Sequence, residues 1–159
     1  MKILGIDPGF AILGWSVITS DLKLIDYGVL TTDAGEDFSE RIYRIHCGLS
    51  GIIQEHRPAE AGIEKLFFAK NTTTALAVAQ TVGAVILSLK ISGINYCEYT
   101  PLQIKRAITG YGRAAKPQMQ SVIKTIFNLD SIPKPDDAAD ALAVAACHSL
   151  NNQTALRKI

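Results

Sequence analysis

The chain has 159 residues, 48% hydrophobic and 19% charged, a make-up that fits one globular domain and excludes disordered and collagen-like chains. Its formal net charge is only +1, so any polyanionic partner must be met by a local patch rather than by the whole surface. The opening MKILGID lacks the features of a signal peptide, and the apolar stretch around Gly83 to Leu89 is far short of the roughly 20 residues that span a bilayer; a cytoplasmic location without membrane contact is expected.

In chain order, Ile3 to Ile6 reads as a buried strand that stops abruptly at Asp7, Pro8 and Gly9. AILGWSVI (11–18) and LKLIDYGVL (22–30) read as two further strands in hairpin style around Ser20-Asp21. The period then changes: Ile42, Ile45, Leu49, Ile52 and Ile53 recur at three- and four-residue steps, predicting a helix from Asp37 to Glu55 that His56-Arg57-Pro58 ends. Ala61 to Phe67 predicts a fourth strand containing Glu64. Asn71 is the expected N-cap of a helix reaching about Leu89, apolar on more than one stripe and so expected to be covered on two sides, by its own fold or by a twin. Ile94 to Tyr99 predicts a fifth strand, Pro101 to Ile108 a short helix, Gly110-Tyr111-Gly112 a break, Pro117 to Phe127 a helix, and about Asp136 to Leu150 a last helix. This order predicts an α/β fold, a five-stranded mixed sheet with helices on both faces and an antiparallel edge, its functional groups gathered at strand ends.

Cys47, Cys97 and Cys147 lack the spacings of zinc or thiol redox sites and are expected to be reduced core residues. His46, His56 and His148 also lack metal spacing and are expected to be structural, and Trp15 is expected in the core. Between Tyr99 and Leu129 there is no Asp or Glu, while Lys105, Arg106, Arg113, Lys116 and Lys124 fall there, so this third of the chain is locally cationic.

The acidic residues carry the chemistry. Asp7 ends a buried strand, and Pro-Gly suits the two central positions of a type II turn. Alone, this fits a turn cap, a phosphate loop or a metal ligand. Glu64 stands in an otherwise apolar strand, where glutamate is unfavourable unless something pairs with it. Asp137 and Asp140, three apart at a helix start, share one face. The alanines at 138, 139, 141, 143, 145 and 146 leave that helix slender enough to approach the sheet closely. Two carboxylates about 4 Å apart repel by about 1 kcal/mol in water and about 4 kcal/mol at an effective dielectric near 20. A divalent cation reverses the sign, and oxygen ligands without His or Cys select Mg²⁺ or Mn²⁺ over zinc. Two such ions suit metal-dependent phosphodiester hydrolysis.

LGIDPG, IEKLFFAKN, YTPLQIKRAITGYGRAAK and DDAADALAVAACH, in that order, resemble the motifs of RuvC-type Holliday junction resolvases across nearly the whole chain. The resemblance implies a ribonuclease H-like nuclease domain over residues 1–150, with 151–159 a frayed tail. It implies a homodimer in which each active site cuts one of two symmetry-related strands of a four-way DNA junction during recombination and repair. By motif, the catalytic and metal-binding carboxylates would be Asp7, Glu64, Asp137 and Asp140, holding two Mg²⁺ ions that Mn²⁺ could replace. Phe67 resembles an aromatic that stacks on opened bases, with Phe68 left to the core. Lys105 and Lys116 match lysines near the active site, and Lys70, Arg106 and Arg113 are weaker candidates for DNA backbone contacts. A branch-migration helicase complex is a candidate further partner. The alternative is a ribonuclease H-like nuclease of other substrate specificity. An actin-like ATP-binding module would need a second phosphate loop that this chain lacks.

Overall fold

The first three strands form an antiparallel meander: β1 (Lys2–Asp7), β2 (Ile12–Thr19) and β3 (Leu24–Thr31). In this computed structural model the backbone is described for residues 1–65 and 72–156, and side chains for 1–65 and 75–152. After the meander come helix α1 (Phe38–His56), strand β4 (Glu60–Glu64), helix α2 (Thr72–Ile91) and strand β5 (Asn95–Tyr99). Helices α3 (Pro101–Thr109), α4 (Lys116–Ile126) and α5 (Asp136–Leu156) complete the described residues. The sheet order is β3-β2-β1-β4-β5, with β4 parallel to both β1 and β5, which makes it mixed as the element order predicts.

Strand alternation divides the molecule into two cores. One face of the sheet sends Leu4, Ile6, Leu13, Val17, Ala61 and Ile63 against Ile45, Leu49, Ile52 and Ile53 of α1 and Val85 and Leu89 of α2. The opposite face sends Ile3 and Ile18 against Leu142 and the neighbouring small residues of α5, with Ile104, Ile108, Met119 and Ile123 of α3 and α4 closing the layer. Burying each such Ile or Leu contributes about 1.5–3 kcal/mol, so both layers hold the sheet in place.

Local chemistry sets the element ends. Asp37 caps α1 by accepting from the Ser39 N–H at 2.9 Å, and Arg57 ends it in the left-handed conformation at φ 51°. Thr100 and Gln103 form a capping box at α3, and Gly110 closes that helix at φ 74°. Leu22, expected in a strand, sits in the hairpin turn at φ 62°, where its N–H donates to the Thr19 carbonyl; residues 20–23 join the two strands, two more than Ser20-Asp21 suggests.

Helix α5 lies flattest on the sheet because both partners are small. A Cβ on Gly5 would collide with the Ala141 carbonyl oxygen, one on Gly14 with the Asp137 carbonyl oxygen, and one on Gly62 would stand 3.1 Å from the His148 Cβ. The helix runs to Leu156, into the segment from 151 expected to fray. Asn151 donates to the Cys147 carbonyl, and Asn152 donates to the Glu60 carboxylate at 2.6 Å, which ties this added turn to β4. Cys147 is buried as expected, but Cys47 and Cys97 are exposed: Cys47 points off the buried stripe of α1, and Cys97 stands on the edge strand. Trp15 is partly buried on the α1 face, its ring 5.9 Å from that of His56.

Candidate active site

β1 and β4 run parallel with Ile3 beside Glu60 and Ile6 beside Ile63, which brings Asp7 and Glu64 to the same end of adjacent strands. Both lie on the α5 face of the sheet, because they follow Gly5 and Gly62 by two residues. Gly14, the register partner of Asp7 on β2, sits under the Asp137 backbone, so the first turn of α5 crosses the sheet at this end. Asp140 follows one turn later. Glu64 and Asp140 line a cleft of about 210 Å³ together with Lys105 of α3 and Lys116 at the start of α4, over an apolar floor of Ile104 and Met119.

The electrostatics tie these groups into one unit. Burial, then the charges of Glu64, Asp140 and Asp137, push the Asp7 carboxyl up to about 8, against a smaller opposing pull from Lys116. Glu64 is pushed up to about 7 by burial and by Asp140, with Lys116 and Lys105 opposing. Burial also raises Asp140, even though Lys116 Nζ donates to its Oδ2 at 3.0 Å. Burial disfavours the Lys116 ammonium, but its contacts with Asp140 and, at 3.4 Å, with Asp136 outweigh that and hold it above its usual range. Asp136 itself is held low by Lys134 at 2.9 Å and then by Lys116.

A buried site with three raised carboxylates is short of positive charge, and its all-oxygen donors fit a hard divalent cation. Asp7, Glu64, Asp137 and Asp140 are the groups that could hold it. Among the described residues no three acidic or thiol or imidazole groups already stand as a finished metal cage, and the Lys116 ammonium is the cation in contact with Asp140.

Other sequence-predicted residues fall elsewhere. Arg113 is exposed on the segment joining α3 and α4, and Arg106 faces away, beside Gln103 and Asn151. Phe67, Phe68, Lys70 and Asn71 lie outside the described residues. His148 is 2% exposed at the far end of the sheet and bonded to Tyr99 and Glu60.

Sequence reading missed the support around the site. Gly5 and Gly62 each stand two residues before a carboxylate on the same strand face, a Gly-x-acid spacing that was visible in the sequence. The clamp on the turn after Asp7 was not: Arg41 lies 3.7 Å over the Phe10 ring and donates to Thr32 Oγ1, which in turn donates to the Phe10 carbonyl. Its parts come from three elements distant in the chain.

This sheet, with acidic strand ends under a crossing helix, is the ribonuclease H-like nuclease fold. The family model of "Crossover junction endodeoxyribonuclease RuvC" matches residues 3–148, and the chain belongs to the RuvC family. Proteins of that name from Caldanaerobacter subterraneus subsp. tengcongensis and Chloroflexus aurantiacus are 49% and 48% identical, over 96% and 99% of this chain and 94% and 98% of theirs. The structure of T. thermophilus RuvC in complex with Holliday junction substrate matches at TM-score 0.92 and 33% identity, over 98% of this chain and 96% of that one. The yeast mitochondrial Holliday junction resolvase, at TM-score 0.69 and 15% identity over 98% of this chain and 82% of that one, shares the fold.

Proposed function

We propose that this chain is a Mg²⁺-dependent endonuclease that resolves four-way DNA junctions by paired, symmetric phosphodiester hydrolysis. The observation that carries the reading is the gathering of Glu64 and Asp140 with Lys105 and Lys116 at one cleft, with the buried Asp7 feeling the charges of both acids, in a chain of the RuvC family. Asp7, Glu64, Asp137 and Asp140 are its metal-binding carboxylates. Divalent ions bound there would supply an activated water and stabilise the departing oxygen.

The protein's own groups set the conditions. Asp7 and Glu64 must lose protons for the site to accept cations, so metal uptake at neutral pH releases protons. Lys105 and Lys116 present ammonium groups to a phosphate entering the cleft and would lower the energy of the charge that develops there. The N-terminus of α4 adds backbone N–H groups without a side-chain cap and without an acid in its first turn. Phe67, by its place in the motif, would stack on a base opened at the crossover, and Lys70 and Arg113 would meet the DNA backbone. A homodimer supplies the two sites that symmetric cutting needs. Chromosomal DNA as substrate makes the cytoplasm the place of action, and a branch-migration helicase complex a candidate partner.

The test is a synthetic four-way junction with Mg²⁺. Paired symmetric nicks are expected from the wild type and none from Asp7→Asn, with junction binding retained. Linear duplex cut as fast as the junction would mean a ribonuclease H-like nuclease of other specificity. Phe67→Ala should lower cleavage far more than melting temperature; equal losses would assign Phe67 to the core.

A further inference from the structure

On the same face of the sheet, away from the cleft, four polar side chains close on one another: Glu60 stands at the opposite end of β4 from Glu64, and Tyr99, the register partner of Glu64 on β5, reaches across from the cleft end. Tyr99 Oη meets His148 Nδ1 at 3.0 Å, His148 Nε2 meets Glu60 Oε2 at 3.0 Å, and Asn152 Nδ2 donates to the same Glu60 oxygen at 2.6 Å. Tyr99 and His148 are 7% and 2% exposed. Buried polar groups are unfavourable unless satisfied, and when satisfied they fix one geometry. The cleft chemistry does not use any of these four residues.

Their place relative to the cleft gives them a role. Glu60, Gly62 and Glu64 share one strand face and meet, in order, His148, then Val144 with His148, then the charge of Asp140. Helix α5 therefore runs antiparallel to β4. Four strand residues rise about 13 Å, and eight helical residues rise about 12 Å. The two elements thus keep step from the polar cluster to the acidic pair. Between those ends the contact is Gly62 against Val144 and the His148 Cβ, a close approach in which the strand offers no side chain of its own to stop α5 from sliding along it. Ser16 pins α5 to β2 by donating to the Ala141 carbonyl at 2.9 Å, whereas the polar cluster pins it to β4 and β5.

We propose that Tyr99, His148, Glu60 and Asn152 form a brace that sets the axial register of α5 on β4, and through it the separation of Glu64 from Asp140. These are positioning residues. The inference rests on the reading of Glu64 and Asp140 as ligands of a shared divalent-cation site.

The experiment uses Mn²⁺ alone, counting free ion by electron paramagnetic resonance with DNA absent, beside the Mg²⁺ dependence of junction cleavage well below the melting temperature. His148→Leu is expected to weaken Mn²⁺ binding about tenfold, the lower end for lost supporting contacts around metal ligands. It should raise the Mg²⁺ needed for half-maximal cleavage in parallel. His148→Gln, which can still donate to Glu60, should stay close to wild type. Leu49→Ala, in the opposite core, controls for lost stability and should leave Mn²⁺ affinity unchanged. If His148→Leu does not fold, Tyr99→Phe removes only the hydroxyl partner and should shift Mn²⁺ affinity in the same direction. Wild-type Mn²⁺ affinity in the folded brace variants, or an equal loss in Leu49→Ala, overturns the brace. Mn²⁺ binding by the wild type that is insensitive to Asp140→Asn overturns instead the metal-site reading beneath it.

Discussion

Asp7 holds a proton through neutral pH in the metal-free protein, because its carboxyl is pushed up to about 8 from 3.8. A carboxyl raised by folding makes a contribution to stability that is complete below its unfolded value and is lost as pH rises through the folded one. The metal-free protein should therefore weaken between about pH 4 and pH 8, with Glu64, pushed up to about 7, acting in the same direction. Asp7→Asn should melt higher than wild type at pH 8.5 in chelator, by about 1–3 kcal/mol after allowance for relaxation among the neighbouring charges. That is about 3–10 °C for a domain of this size, and the difference should shrink as pH falls and close below about pH 4. Calorimetric scans across pH check it; a lower melting temperature for Asp7→Asn at pH 8.5 would contradict the shift. The cysteines give a second test at this scale. Burial pushes the Cys147 thiol up to about 12, whereas Cys47 and Cys97 are exposed. Native alkylation followed by mass spectrometry should modify Cys47 and Cys97 and leave Cys147 until the protein unfolds.

The arrangement of the acidic cleft depends on how closely α5 lies on the sheet. Gly5→Ala sets a methyl group against the Ala141 backbone, which has no side-chain freedom to yield. Overpacking of this kind costs about 1–3 kcal/mol, and because α5 carries Asp137 and Asp140, cleavage should fall by more than the stability loss explains. A Gly5→Ala protein with full cleavage would show that α5 tolerates a looser fit. Most elements were legible from period: the Ile stripe of α1, the alternation of β2, and Pro101 and Gly110 around α3. The four carboxylates were legible because an acid in an apolar strand, or repeated on one helix face, has no cheap structural reading. The seat of α5 was half legible, since the alanines implied close approach but the matching glycines lie on three different strands. The exposure of Cys47 and Cys97 and the extension of α5 to Leu156 depend on which neighbours arrive in space, and local sequence does not contain that. The His148 brace is unreadable for the same reason, as its partners Tyr99 and Glu60 stand 49 and 88 residues away.

At the scale of the whole molecule, α2 carries an apolar stripe that this chain alone leaves uncovered. Val85 and Leu89 face the core, and Ser88 meets His46 Nδ1 at 2.8 Å. The outer stripe leaves Leu76, Leu87 and Ile91 at 66%, 58% and 69% exposed. This matches a helix apolar on more than one side, and on the proposed reading of paired symmetric cutting a second copy of the chain covers it. Leu87→Glu with Ile91→Glu should turn a dimer into a monomer in analytical ultracentrifugation at micromolar concentration and abolish paired nicking, with little change in monomer stability. A wild-type monomer under those conditions would remove α2 as the dimer contact.

The acidic cleft joins the first strand of the chain to its last helix, with Glu64 contributed from between. A polypeptide emerging from the ribosome has placed Asp7 and Glu64 long before Asp137 and Asp140 exist. On the proposed metal-site reading, a nascent chain that has not yet reached Asp137 and Asp140 has no complete cation site, so cutting should begin only once α5 has been made and has folded onto the sheet.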